Sequence, residues 1–190
     1  MENLKEEQKN KEDYAIVLDF LPNGYSNDDR PMFKKTPIVQ AIGKNNFTLL
    51  ELVPKKDIFL QPSEDVYIGD QERDKIHHIN GRLNLNRLTP TAKAELEPII
   101  QKIVHENQSR FVEFFNSAQP LSTRMHSLEL LPGLGKKHMW QILEERRGDP
   151  FKDFTDLKNR VKLIPDPEKI IIKRILKELE RAEKHYIFLD

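Results

Sequence analysis

The residues best suited to chemistry in this chain are the ten of Leu128-Glu-Leu-Leu-Pro-Gly-Leu-Gly-Lys-Lys137. Before the glycines, Met125, Leu128 and Leu131 recur every three residues, one apolar stripe of a short helix. After them Met139, Ile142 and Leu143 resume the stripe, and Gly148 with Pro150 supplies a helix stop. Between the stripes Pro132, Gly133, Leu134 and Gly135 predict a tight turn, the glycines allowing backbone conformations that a Cβ opposes. The second helix would then open with unpaired backbone N–H groups. Those groups, at the positive end of the helix dipole, can hold a phosphate without reading a base. Lys136 and Lys137 stand beside that point.

This stretch resembles the helix-hairpin-helix motif of nucleic-acid-binding proteins, matching its Leu-Pro-Gly-x-Gly core and flanking apolar positions. The competing reading is a plain packing corner in which glycine only permits the bend. Proline, two glycines and two lysines in this order favour the phosphate reading. A second copy is suggested: shifted by 33 residues, Leu130–Lys136 lies over Leu163-Ile-Pro-Asp-Pro-Glu-Lys169, with Ile142 and Leu143 over Ile175 and Leu176. In that register Asp166 and Pro167 replace Gly133 and Leu134. Aspartate as N-cap with proline behind it starts a helix well, yet its carboxylate repels phosphate. The first copy is therefore expected to bind and the second to pack.

The rest of the chain must position this turn. The sequence is 190 residues long, with 31 basic and 31 acidic side chains, so any nucleic-acid contact has to come from local patches. Acidic residues outnumber basic ones over 1–13, and basic ones prevail between Arg73 and Arg110. No cysteine is present, which excludes disulfides, thiol catalysis and cysteine-ligated metals and suits a reducing cytoplasm. No apolar run approaches the ~20 residues of a membrane span, and the charged first dozen residues are unlike a signal peptide. A cytoplasmic location is expected.

Residues 1–12 read as a disordered tail, and 13–88 as many short strands. Tyr14–Leu21 ends in the turn Pro22-Asn-Gly24; Ile38–Ile42 and Phe47–Val53 flank a hairpin; further strands are predicted at Ile58–Leu60, Val66–Ile68 and Ile76–Leu83. So many short strands argue for a small barrel. Connecting helices are expected over 89–118, opened by Thr89-Pro90 and kinked or broken at Pro98, with Phe111, Phe114 and Phe115 as core. Over 119–190 the pattern is helical: Thr155 is read as the cap of a short helix, Pro167 to about Lys184 as a longer one burying Ile171, Ile175, Leu179 and Ala182, and Tyr186–Leu189 as a docked end. Trp140, the only tryptophan, is expected to be partly buried. The fold class is thus α+β, a small OB-like β-barrel followed by an all-helical domain with tandem helix-hairpin-helix turns.

Three stretches carry a wider resemblance: Tyr14-Ala-Ile-Val-Leu-Asp-Phe-Leu-Pro-Asn-Gly24, Leu130-Leu-Pro-Gly-Leu-Gly-Lys-Lys-His-Met139 and Phe151-Lys-Asp-Phe-Thr-Asp-Leu-Lys158. Together they resemble the archaeal DUF655 family. That resemblance implies an OB-like barrel ahead of a helix-hairpin-helix region and a nucleic-acid-binding, often RNA-binding, role near translation or RNA processing. It supplies no catalytic residues. A monovalent cation held by hairpin carbonyls is left open.

OB barrels bind single strands through a basic groove and aromatic platforms. Tyr25, Phe33 and Tyr67 are the candidate platforms, and Arg30, Lys34, Lys35, Arg82 and Arg87 the candidate phosphate partners, beside Pro132–Lys137 in the turn. An enzymatic reading exists, because base-excision glycosylases of the endonuclease III type use a similar hairpin, some with a nucleophilic lysine at the position of Lys137. Their Val-Asp-x-His-like context is missing, and Asp153 and Asp156 sit in a different pattern. His77-His78 occupies adjacent strand positions, which point to opposite faces, and His105, His126, His138 and His185 lack ligand spacing. No metal, cofactor or catalytic residue is assigned. RNA is the expected partner, DNA an admissible one, with a ribosomal or transcription protein as the partner in the alternative reading of an interaction adaptor.

Overall fold

A computed structural model describes residues 11–26, 29–31 and 34–189. It is α+β: a five-stranded antiparallel half-barrel followed by five α-helices. The chain divides into two compact units, residues 1–99 with 179–190 and residues 100–178.

The strands of the first unit are β1 (Tyr14–Leu21), β2 (Ile38–Gly43), β3 (Leu49–Pro54), β4 (Asp65–Tyr67) and β5 (Ile76–Arg82). They pair in the order β4-β1-β2-β3-β5, every neighbouring pair antiparallel. Ala15, Val17, Val39, Ala41, Leu52, Val66, Ile68 and Ile76 form the core, following the period-2 alternation of pleated strands. β1 carries a bulge between Val17 and Asp19 in its pairing with β2, and Ala15–Leu18 are all buried, so both faces of the strand are covered there. Gly24, at φ +67°, closes the turn after β1 and donates its N–H to the Leu21 carbonyl at 3.1 Å.

Three expectations change here, and others go unplaced. Ile58–Leu60 is not a strand: Asp57 turns the chain at φ +61°, leaving Phe59 exposed and Leu60 buried. Residues 1–10 and Phe33 lie outside the described residues, so most of the predicted tail and one candidate platform go unplaced. Glu12, assigned to that tail, is instead anchored, its carboxylate accepting the N–H groups of Asn45 and Asn46 at 2.8 Å each in the β2–β3 turn. His77 is the extra residue of a bulge opposite Val53 and Pro54, so the His77 and His78 rings meet, Nδ1 to Nδ1 at 2.7 Å, rather than pointing apart.

Helix α1 (Pro90–Glu106) starts as read, with Thr89 Oγ accepting the Ala92 N–H at 3.1 Å. It carries through Pro98 without ending. Pro98 and Ala94, whose carbonyl loses its helical donor there, both face solvent, so water can satisfy the freed group. In the second unit α2 (Gln108–Ser117) buries Phe111 and Phe115 and half-buries Phe114. A two-strand ribbon, β6 (Pro120–Ser122) and β7 (Met125–His126), leads into a 3-10 turn at Ser127–Leu130. Helices α3 (Lys136–Gly148), α4 (Phe154–Arg160) and α5 (Pro167–Leu179) follow. The cap of α4 is Asp153, not Thr155: its carboxylate accepts the Asp156 N–H at 2.7 Å. α5 stops at Leu179, short of Lys184, because Arg181 takes φ +57°, and Ala182 is consequently exposed. Phe188 and Leu189 are buried, the terminal segment belonging to the first unit. Among the described residues no helix is long and apolar enough to cross a membrane.

Candidate nucleic-acid interface

The Pro132–Lys137 stretch forms a tight turn into α3, but the short helix expected before it is only the 3-10 segment Ser127–Leu130, and Met125 is exposed on β7 instead of lying on a helical stripe with Leu128 and Leu131. Leu131 ends the 3-10 segment, the Leu134 N–H returns to the Leu131 carbonyl at 3.1 Å, and Gly135 is the N-cap of α3. Gly133 sits at φ +83°, a conformation L-residues avoid, and a Cβ there would also press on Pro165 at 3.3 Å. Gly135 has ordinary angles, and a Cβ built on it meets nothing within 4 Å. The fold does not require glycine there. The first intrahelical bond runs from Met139 N–H to the Gly135 carbonyl at 3.1 Å, so the N–H groups of Lys136, Lys137 and His138 precede it, and Gly135 adds no capping side chain. Leu134 is buried and holds the turn to the core, while Gly133, Gly135, Lys136 and Lys137 are exposed.

A second turn joins α4 to α5, in a register other than the 33-residue shift. Val161 takes the place of Leu131, Leu163 that of Gly133 and Ile164 that of Leu134, a shift of 30; Asp166 is then the counterpart of the N-cap Gly135, a shift of 31. Leu163 adopts φ +58° and is 88% exposed. One carboxylate oxygen of Asp166 accepts the Lys169 N–H at 3.2 Å, and the other meets the Lys158 ammonium at 2.6 Å. Burial pushes the Asp166 carboxyl up, but Lys158 and the backbone donors outweigh it and hold it below its ordinary value. The second turn thus carries its own anion.

The two turns share one support. Arg174 and Glu178 on α5, exposed by 1% and 0%, form an ion pair at 2.7 Å, and Arg174 Nη1 donates to the Leu130 carbonyl at 3.3 Å, just ahead of the first turn. Sequence reading missed this pair, because an arginine inside Ile170-Ile-Ile-Lys-Arg-Ile175 carries no local sign of burial.

Trp140 also departs from expectation. It is 62% exposed, since it lies about 100° round the helix from the buried Met139. With Met125, Leu143, Arg124 and Lys136 it lines a largely apolar groove of about 750 Å³. His126, at the groove wall, accepts the Leu128 N–H on Nδ1 at 3.2 Å; burial, and then the Arg146 charge, keep its pKa below the usual histidine value and the ring neutral.

The barrel candidates are dispersed. Tyr25 and Arg87 meet round Gln40, whose side-chain nitrogen donates to the Tyr25 hydroxyl at 3.1 Å and to the Arg87 carbonyl at 3.0 Å. The Tyr25 hydroxyl donates in turn to Glu51 at 2.5 Å, and burial, with this bond, raises its pKa. Tyr67 is on β4, edge-on to Tyr14 at 5.2 Å. Arg82, on β5, lines a groove of about 250 Å³ with Lys11 and Arg73, and Glu12, Asp13 and Asp70 interrupt the positive charge. Arg30 and Lys34 are exposed and Lys35 half-buried in the β1–β2 connection. Among the described residues no group of three or more histidine or acidic side chains is placed to hold a metal.

Residues 11–190 match a family model described as a protein of unknown function, DUF655. The chain is 43% identical over 194 residues to the uncharacterized protein MJ0038 of Methanocaldococcus jannaschii, a match that covers 99% of this chain and 86% of that protein. The crystal structure of Af1531 from Archaeoglobus fulgidus, assigned to the same family, superimposes with a TM-score of 0.86 at 46% identity, covering 94% of this chain and 100% of that one.

Proposed function

The chain belongs to the DUF655 family, and we propose that it is a non-enzymatic RNA-binding protein of the cytoplasm whose first helical turn is a helix-hairpin-helix element gripping the phosphate backbone. One observation carries this reading: the exposed N-terminus of α3, capped by a bare glycine and flanked by Lys136 and Lys137. A phosphate seated there completes the helix N-terminus much as the Asp166 carboxylate completes the N-terminus of α5. The half-barrel is the second contact, with Arg82 in its groove as the phosphate partner and Tyr67 as a stacking face. Strand chemistry is not part of the proposal. Lys137 stands exposed on α3, and Asp153, the carboxylate a lyase would need nearby, is engaged in capping α4.

The test is affinity for RNA and for duplex DNA across a salt series. Phosphate binding requires log K to fall steeply and linearly with log salt, with a slope reduced by charge reversal at Lys136 and Lys137. Undetectable binding at low salt, with the protein folded, overturns the proposal in favour of an interaction adaptor. Borohydride treatment with abasic-site DNA addresses the enzymatic reading: a covalent adduct lost on Lys137→Gln would make Lys137 a nucleophile.

A further inference from the structure

Resting on the phosphate reading above, we infer that the groove at Trp140 receives the base of an unpaired nucleotide, so that the protein favours RNA with a single strand next to a duplex. The groove is largely apolar, and Met125, Met139, Trp140 and Leu143 are among its lining residues. It holds about 750 Å³, ample for a nucleobase. An aromatic ring left 62% exposed on an otherwise amphipathic helix offers a flat face to any base, whatever its identity.

Charge decides the occupant. Arg124 and Lys136 rim the groove. Its acidic lining residue, Glu129, is turned to the protein, accepting the His126 N–H at 2.9 Å. His126 is neutral, and the Arg146 guanidinium donates to the Phe115 and Ala118 carbonyls at 2.9 Å each. An anionic ligand with an apolar flat portion fits such a rim and apolar lining. Distance then links the groove to the turn: Lys136 belongs to both, and Trp140 lies one helical turn further, about 6 Å along the axis. A phosphate on the α3 N-terminus and a base on Trp140 are thus about one nucleotide apart.

Because Trp140 is the only tryptophan, its emission reports the groove directly. The full chain would be titrated with a blunt RNA hairpin and with the same hairpin carrying a short 3′ or 5′ single-stranded tail. The tailed RNA should quench Trp140 emission and bind more tightly than the blunt one. Trp140→Ala should lose roughly tenfold in affinity for the tailed RNA and leave the blunt RNA unchanged, with Trp140→Phe restoring most of the loss. Charge reversal at Lys137, which belongs to the turn and not to the groove, should weaken both RNAs alike. Binding of both RNAs with unaltered emission and no effect of Trp140→Ala overturns the base site while leaving the phosphate turn standing. Absence of binding to either RNA overturns both. An emission blue-shift that grows with protein concentration in the absence of RNA overturns the inference by making this face a contact between copies of the chain.

Discussion

At the first helical turn Gly133 takes φ +83° and Gly135 caps α3 with no side chain; at the second Leu163 takes φ +58° and Asp166 caps α5 with a carboxylate. The backbone path is nearly the same, and the chemistry is inverted. The first turn accommodates its left-handed residue with glycine and leaves the helix N-terminus open to an outside anion. The second carries a strained leucine and satisfies its helix from within, recruiting Lys158 as the counter-cation. In the proposed reading one turn is a site and the other a support. What separates them is one carboxylate at the cap, Asp166 against Gly135, and the lysine pair that follows only the first.

The support should be the costliest part to damage. Removing Arg174 takes from the buried Glu178 carboxylate its ion-pair partner and from the Leu130 carbonyl a donor, so Arg174→Ala is expected to cost about 3–5 kcal/mol of stability. Chemical denaturation measures it. Replacing Arg174 and Glu178 together with apolar residues of similar volume should cost far less, which separates the penalty of an orphaned charge from the worth of the pair. If the double change is as damaging as Arg174→Ala, the hydrogen bond to Leu130 matters more than the buried charge.

Next in size is the transplant of the second cap onto the first turn. Gly135→Asp has room for its side chain and should preserve the fold, or slightly stabilise α3, as aspartate is a good N-cap. RNA affinity should nevertheless fall by about 1–3 kcal/mol, on the scale of charge-assisted hydrogen bonds lost. Charge reversal of Lys136 with Lys137 should act in the same direction and flatten the salt slope. Unchanged affinity in Gly135→Asp would remove the distinction between the turns.

Much of this was legible in the chain, and the failures are instructive. Gly133 marks the first turn because its left-handed backbone demands glycine, while Gly135 and the paired lysines mark it by bareness and charge. The strands of the half-barrel were visible through alternation, except at 58–60, where a left-handed Asp57 interrupts an apolar run. The second turn is legible in Asp166-Pro167 as a cap and helix start, but its register is not, because Leu163-Ile-Pro mimics Leu130-Leu-Pro while the backbone sets Leu163 opposite Gly133. Leu163 breaks the rule that a residue at positive φ is glycine, so only the fold could place it. The exposure of Trp140, the burial of Arg174 and the dispersal of Tyr25, Tyr67 and Arg82 depend on tertiary packing, which composition and spacing do not encode.

The left-handed positions give a smaller and two-sided comparison. Gly133→Ala should lose about 1–2 kcal/mol, the cost of the left-handed backbone with a Cβ, with the Pro165 contact adding to it. Leu163→Gly should go the other way. It relieves similar strain, but the freed unfolded chain returns about 0.4–1 kcal/mol of entropy, so the net gain is between about 0 and about 1.6 kcal/mol. Since Leu163 is 88% exposed, little packing is lost. Thermal unfolding of the two variants tests this. A destabilised Leu163→Gly would mean that the leucine side chain makes contacts that outweigh its strain.

The smallest effect is the one that assigns each turn its role. Asp166→Ala removes the cap of α5 and should cost about 1 kcal/mol. The Lys158 pair adds little, being partly exposed on both sides. The pH dependence has a definite sign. The Asp166 carboxyl is held below its ordinary value of 3.8 in the folded chain, so its contribution is fully present above that value and is lost as pH falls through the lower, folded-state value. Wild type and Asp166→Ala should therefore differ most near neutrality and converge in acid below about pH 4. Asp166→Asn retains a capping oxygen and should fall between them, with no acid convergence of its own from this group. RNA binding by Asp166→Ala should equal that of the wild type, or rise slightly as the second helix N-terminus is uncovered. A folded Asp166→Ala protein that no longer binds RNA would reverse the assignment of site and support.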